Sequence, residues 1–186
     1  VRGSDALSAG LGFVPLGVLA AVGAGQLSMR AIARWGFGGT LAIGMASLAI
    51  GTALIAAAMT TGGSYWALLP GIAIWGLAGG MTFSAMFGAA ADGVPAEEQG
   101  VASGLASTAQ QVGAAVGLAL LVAVANAGLD LRGDLPPATS DVVAGLRAAG
   151  WVTAAAALGA AVIAAFLIRV RRPLCPEAAD LPPTPG

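Results

Sequence analysis

Four stretches of this chain carry no charged side chain: residues 6–29, 35–91, 99–129 and 148–168. They account for more than two thirds of its 186 residues. A helix of a soluble domain needs a polar outer face, whereas uncharged runs longer than about 18 residues are read as membrane spans. The chain is 58% hydrophobic and 9% charged, where soluble domains carry roughly a quarter charged residues, and its mean hydropathy is +0.87. Its solvent is therefore the lipid bilayer. A soluble Ala-rich bundle is the alternative, but apolar helices of this length would have nowhere to turn in water.

Several function classes fall on the same counts. A net charge of −1 with eight scattered Arg leaves no basic footprint for nucleic acid. The single cysteine, Cys175, gives neither a disulfide framework nor a thiolate metal cage. Absence of His removes the commonest metal ligand and the usual general base near neutral pH. No nucleophile, base and orienting group can be assembled from what remains, so the chain reads as a non-enzyme with no cofactor and no metal.

The charge-free runs set the number of crossings. About 20 residues of helix traverse about 30 Å of hydrocarbon. Residues 6–29 hold one such helix. The run 35–91 is too long for one, and its polar cluster Thr60-Thr61-Gly62-Gly63-Ser64 divides it into spans near 38–59 and 66–90. A fourth span lies near 100–126 and a fifth near 148–168. Strands are disfavoured because no ten-residue polar/apolar alternation recurs and Ala is a strong helix former. A cleaved signal peptide does not account for the first span, since Asp5 offsets Arg2 and four similar segments follow.

Orientation follows from arginines beside the helix ends. Arg30, Arg34, Arg169, Arg171 and Arg172 lie on one side; Arg2, Arg132 and Arg147 lie on the other. The larger set places the C-terminus in the cytoplasm and the N-terminus outside. Residues 173–186 are rich in Pro and read as a disordered cytoplasmic tail.

The fourth span carries the most information. At a helical period, Gly100, Ser103, Gly104, Ser107, Gln110, Gln111, Gly113 and Gly117 share one half of its circumference, and Val101, Leu105, Val112, Val116 and Ala119 the other. The pairs Gly100/Gly104 and Gly113/Gly117 have the spacing that lets a neighbouring backbone approach closely in a membrane. Two glutamines at mid-membrane need hydrogen-bond partners, because an unsatisfied amide in hydrocarbon costs several kcal/mol. Either they bond to neighbouring helices as glue, the reading that suits Gln111, or they face an aqueous cavity and touch cargo, the reading that suits Gln110. In the third span, Trp75, Gly79, Thr82 and Met86 share a face with Phe83 and Phe87 nearby. Such a face suits a pocket for large lipophilic molecules or, more plainly, fills gaps between helices. Gly76/Gly80 is a further close-packing pair. Spans two and five, almost entirely Ala, Leu, Ile, Val and Gly, read as peripheral scaffold. No span holds an ionisable residue in its interior, so the chain taken alone has no ion-coupling site.

These residues resemble the major facilitator superfamily, specifically the C-terminal part of a fourteen-helix drug:proton antiporter. The resemblance covers residues 4–172. It is most specific over Leu69-Pro70-Gly71 through Gly79-Gly80, Gly93-Val94-Pro95-Ala96-Glu97-Glu98-Gln99-Gly100-Val101-Ala102-Ser103-Gly104, and Thr108-Ala109-Gln110-Gln111-Val112-Gly113-Ala114-Ala115-Val116-Gly117. Ala9-Gly10-Leu11 with Val14-Pro15 resembles the start of an earlier helix of the same half. Between the first two spans, Arg30, Arg34 and Gly36 stand where the superfamily's cytoplasmic motif has Arg, Arg and Gly; Ala33 replaces its Asp, and Gly38-Gly39 replaces its final basic pair.

The resemblance implies an all-α, polytopic transmembrane bundle holding five spans of a six-helix half, over residues 1–172. It implies a portion of a secondary transporter that exports lipophilic small molecules by proton antiport and alternating access. Trp75, Thr82, Phe83, Met86, Ser107 and Gln110 would contact cargo, and Arg30, Arg34 and Gly36 would serve the cytoplasmic gate. The first and fourth spans would meet the other half of the transporter, which with the coupling acid lies outside this sequence. The partners are thus the bilayer, that N-terminal half and a small lipophilic substrate. Two rivals are a truncated membrane protein that does not transport and a small helical protein that packs against a partner. Val1, only five residues before the first span, reads as a cut within an external loop. A membrane enzyme would lack any cluster of catalytic polar groups.

Overall fold

The computed structural model describes residues 6–60, 64–128 and 138–171, with side chains for 14–60, 64–128 and 138–166. Residues 61–63 of the polar cluster, Arg2, Arg132 and Arg172, and the segment 173–186 lie outside the described residues. The regular elements are helices: α1 (Ala6–Val22), a π turn (Gly23–Leu27), α2 (Ser28–Ala58), α3 (Tyr65–Ala91), α4 (Gln99–Asn126) and α5 (Thr139–Arg171). Ser64 opens α3, its Oγ accepting the N–H of Trp66 at 3.4 Å. Asp141 in the first turn of α5 complements the positive end of the helix dipole. Just past α3, Gly93 has φ 76°, a left-handed conformation that ends the helix at little cost for glycine.

Four helical segments among the described residues are long and apolar enough to cross a membrane: Val14–Ala58, Tyr65–Ala91, Gln99–Asn126 and Thr139–Phe166. The sequence pattern predicted five separate spans. The difference lies in the first segment, where the residues expected to form a loop, Arg30 to Trp35, remain helical and join the first two expected spans. Nothing between Leu27 and Trp35 is a Pro or a turn cluster, so the backbone ladder runs on until Gly36, whose φ of 70° and ψ of 177° break it. α5 likewise begins at Thr139, earlier than the predicted span at 148, because Thr139-Ser140-Asp141 supplies a polar helix start.

Contacts fix the direction of each helix relative to its neighbours. Along α3, Gly76 meets Leu16 and Leu19, and Gly80 meets Ala20 and Ala24, so α1 runs parallel to α3. Gly71 meets Ile55 and Gly51, Thr82 meets Gly44, and Gly88 meets Phe37, so residues 37–55 of α2 run antiparallel to it. The chain therefore reverses at Gly36. On the other side of α2, Gly150 meets Ala56, and a cleft lined by Ala49, Ile50, Trp151 and Leu158 continues the antiparallel seam with α5. Gly145 abuts the backbone of Ala125, closing α4 and α5 into an antiparallel pair.

α2 thus forms the centre of the packing, with its most extensive contacts to α3 and α5. The sequence reading of α2 as peripheral scaffold fails here because Gly44 and Gly51, seven residues apart and so on one face, let α3 approach its backbone. The interior is made of small side chains: among the described residues, every buried hydrophobic one apart from Met81 is Ala. Large apolar residues point outward, among them Val18, Ile50, Leu105 and Phe166. That inversion is physical, since in lipid the helices associate by close packing while Leu, Val and Phe lose nothing by facing hydrocarbon. Three helix hydroxyls are satisfied locally: Thr52, Thr108 and Thr153 each donate to the carbonyl four residues earlier at 2.8 Å.

Candidate functional site

The face of α3 expected to meet cargo is divided by the packing. Gly76, Leu77, Gly80 and Ser84 are turned to α1 and the π turn. Thr82 is turned to α2, 9% exposed, with its Oγ1 against Gly44 and no hydrogen-bond partner. Trp75 has its backbone against Gly51, yet its residue surface is 40% exposed. Phe83 is 51% exposed and Met86 half-buried. Phe83 and Phe87 pack as a tilted pair with ring centroids 4.9 Å apart, a geometry favoured by the aromatic quadrupole. The structure therefore keeps Trp75, Phe83 and Met86 accessible on α3 and withdraws Thr82 into the α2 interface.

α4 stands apart from the packed trio α1–α3. None of its residues is buried, and its neighbours are α5 and, less extensively, α3. Ser107 is half-buried, whereas Gln110 and Gln111 are exposed and have no hydrogen-bond partner among the described residues. A Cβ added at Gly100, Gly104, Gly113 or Gly117 would meet nothing within 4 Å. Among the described residues these four glycines pack against no other helix, in contrast to Gly76 and Gly80, which hold α1 against α3. The small and polar half of α4 is thus presented but not covered.

Arg30, Arg34 and Gly36 are exposed together at the end of the molecule where the chain reverses. The Arg34 guanidinium carbon lies 5.7 Å from the centroid of the Trp35 ring, within cation–π range. Gly36 adopts a conformation essentially reserved for glycine, and its carbonyl accepts the Thr40 hydroxyl at 2.8 Å. Contact of Phe37 with Gly88 pins this turn to the end of α3, where Asp92, Glu97 and Glu98 follow in the α3–α4 connection.

Clefts also open between α2 and α5 and beside the start of α3. One of about 320 Å³ lies on the α2–α5 seam, and one of about 160 Å³ lies where Met59 and Ser64 approach Leu146. None of the six cargo candidates lines either. No group of three or more His, Cys, Asp or Glu among the described residues could hold a metal ion.

The packing role of Gly44, Gly51 and Gly71, and the contact made by Ser84, were not singled out from sequence. The spacing of Gly44 and Gly51 was a legible signal for those two. Nothing in the sequence around Ser84 marks it, since its partner lies 60 residues away.

No curated protein and no solved structure matches the chain. A family model does: that of the Major Facilitator Superfamily, over residues 1–118. This match takes in the reversal at Gly36, the packed trio and most of α4, and through it the chain belongs to the major facilitator superfamily.

Proposed function

We propose that the chain is the C-terminal portion of a secondary transporter that exports lipophilic small molecules, with proton antiport as the driving reaction of the complete protein. The observation that carries the reading is the uncovered half of α4. Ser107, Gln110 and Gln111 belong to a helix apolar enough to cross a membrane, and both glutamines lack a hydrogen-bond partner among the described residues. Amides in hydrocarbon require partners, so this face is built for something outside the described residues: helices of the transporter's other half, a water-filled cavity, or both. Trp75, Phe83 and Met86 on α3 and Ser107 and Gln110 on α4 would touch cargo, and Thr82 would support the surface from behind. The open glycines of α4 would admit the backbone of the other half.

The same reading counts five crossings. The opposite courses of residues 16–24 and 37–55 along α3 support two crossings within Val14–Ala58, which at 45 residues is about twice the length a bilayer needs. The Gly36 end would face the cytoplasm, since Arg30 and Arg34 lie there together with the end of α5, and the N-terminus would lie outside the plasma (inner) membrane. Alternating access would then rock this half against the other around a midplane site.

Gln110→Leu in the full-length transporter tests the proposal. Export of a lipophilic dye from cells should fall while membrane abundance stays constant. Loss of abundance in place of transport would assign Gln110 to packing and sink the cargo assignment.

A further inference from the structure

The helical path from α1 into α2 takes one residue more than an α-helix allows. At Gly23–Leu27 the N–H of Ser28 donates to the carbonyl of Gly23, five residues back, and to that of Gly25. In a regular α-helix it would donate to the carbonyl of Ala24. That skipped carbonyl accepts the hydroxyl of Ser84 of α3 at 3.0 Å. A side chain on one helix thus replaces a backbone donor of another. At the same place the two backbones touch without side chains between them: a Cβ on Gly23 would overlap the carbonyl of Leu77, and one on Gly80 would overlap that of Ala20. Ser28, at the end of the turn, is 1% exposed and its hydroxyl has no hydrogen-bond partner.

We propose that this π turn is one state of a two-state register switch, held by Ser84, that couples rotation of α1 to its separation from α3. When Ser84 lets go, the Ser28 N–H takes the Ala24 carbonyl, the turn closes to regular α-helix, and each residue of α1 moves into the place of the residue before it. α1 turns by about 100° relative to α2. Ala24 then occupies the place of Gly23, where its methyl would strike the Leu77 carbonyl, so the α register requires α1 to stand off from α3. The packed state keeps the close backbone contact and the Ser84 bond. It leaves the Ser28 hydroxyl unpaired, a group that in the released state donates to the Ala24 carbonyl as Thr52 and Thr153 do to theirs. Each register therefore satisfies what the other leaves unmet, the condition for two states close in free energy. Within the transporter reading, the switch supplies a motion of α1 against α3 as the two halves rock. Its test is independent of transport.

The rotation makes a reciprocal prediction along α1. Leu16 and Leu19 are partly shielded where they meet Gly76, and Ala21 is exposed. Single spin labels at 16, 19 and 21 in the whole chain, in a Cys175→Ser background and in lipid nanodiscs, report accessibility to oxygen. With Ser84 present, 16 and 19 are protected and 21 is open. In Ser84→Ala, 16 and 19 gain accessibility while 21 loses it, and Ser84→Thr, which keeps the hydroxyl, restores the original pattern. Gly23→Ala, which excludes the packed register sterically, gives the same shift as Ser84→Ala by an independent route. An unchanged pattern in Ser84→Ala, a gain at 16 and 19 without loss at 21 in either variant, or failure of Ser84→Thr to restore it overturns the proposal.

Discussion

Gly44 lies so close beneath Thr82 that a Cβ on the glycine would overlap the threonine Oγ1. This contact sets the distance between α2 and α3, and the same closeness recurs where Gly51 meets the backbone of Trp75. Both glycines act by what they lack.

Gly44→Ala should therefore destabilise the chain by about 1–3 kcal/mol, the range for forcing extra volume into a packed interior. Gly79→Ala is the matched control, because its nearest neighbour, Leu48, would be 3.9 Å away and in ordinary contact. Unfolding midpoints in detergent compare the two; equal effects would mean that Gly44 is not the close point of the α2–α3 seam.

At Thr82 the buried hydroxyl has no partner, so its removal relieves a desolvated polar group. Thr82→Val should leave stability unchanged or raise it, and should leave efflux by the full-length transporter intact. A large drop in transport with normal abundance would return Thr82 to the cargo surface.

Gly36→Ala is expected to cost about 1–3 kcal/mol through the backbone alone, since the space around Gly36 is open and only its conformation excludes a Cβ. Gly100→Ala, also open but helical, should be neutral or stabilising by at most about 1 kcal/mol. Denaturant titration of both variants measures the contrast, and a neutral Gly36→Ala would show that the chain reverses elsewhere.

For α4, context decides the outcome. Gly113→Leu and Gly117→Leu should leave the helicity and stability of the isolated chain unchanged, because nothing among the described residues would lie within 4 Å of a Cβ at either position. In the full-length transporter the same changes should lower efflux, as the bulk would block approach of the other half. Circular dichroism of the chain and dye export by the parent provide the two readings; destabilisation of the isolated chain would place these glycines inside its own packing.

The medium was legible in the sequence because it depends on composition alone: a charge-free run of 57 residues admits no water-facing helix, whatever the packing. That the chain is helical was legible for the same reason, and Gly76 and Gly80 were legible because their four-residue spacing encodes one face. The reversal at Gly36 was visible only as a motif position, and the continuous helix on its N-terminal side was not, because a loop and a helix differ there by backbone dihedrals that no side chain announces. Likewise, the periodicity that put Trp75, Thr82 and Met86 on one face of α3 could not say which neighbour that face would meet.

Tertiary structure decided three things: that Thr82 turns to Gly44, that α2 and not α3 alone organises the bundle, and that Ser84 donates to the Ala24 carbonyl that the Ser28 N–H bypasses in the π turn. Each depends on a contact between residues far apart in the chain. Solvent preference is a sum over residues and can be read from a list of them, whereas pairing between helices depends on relative rotation and height, which exist only once the helices are side by side.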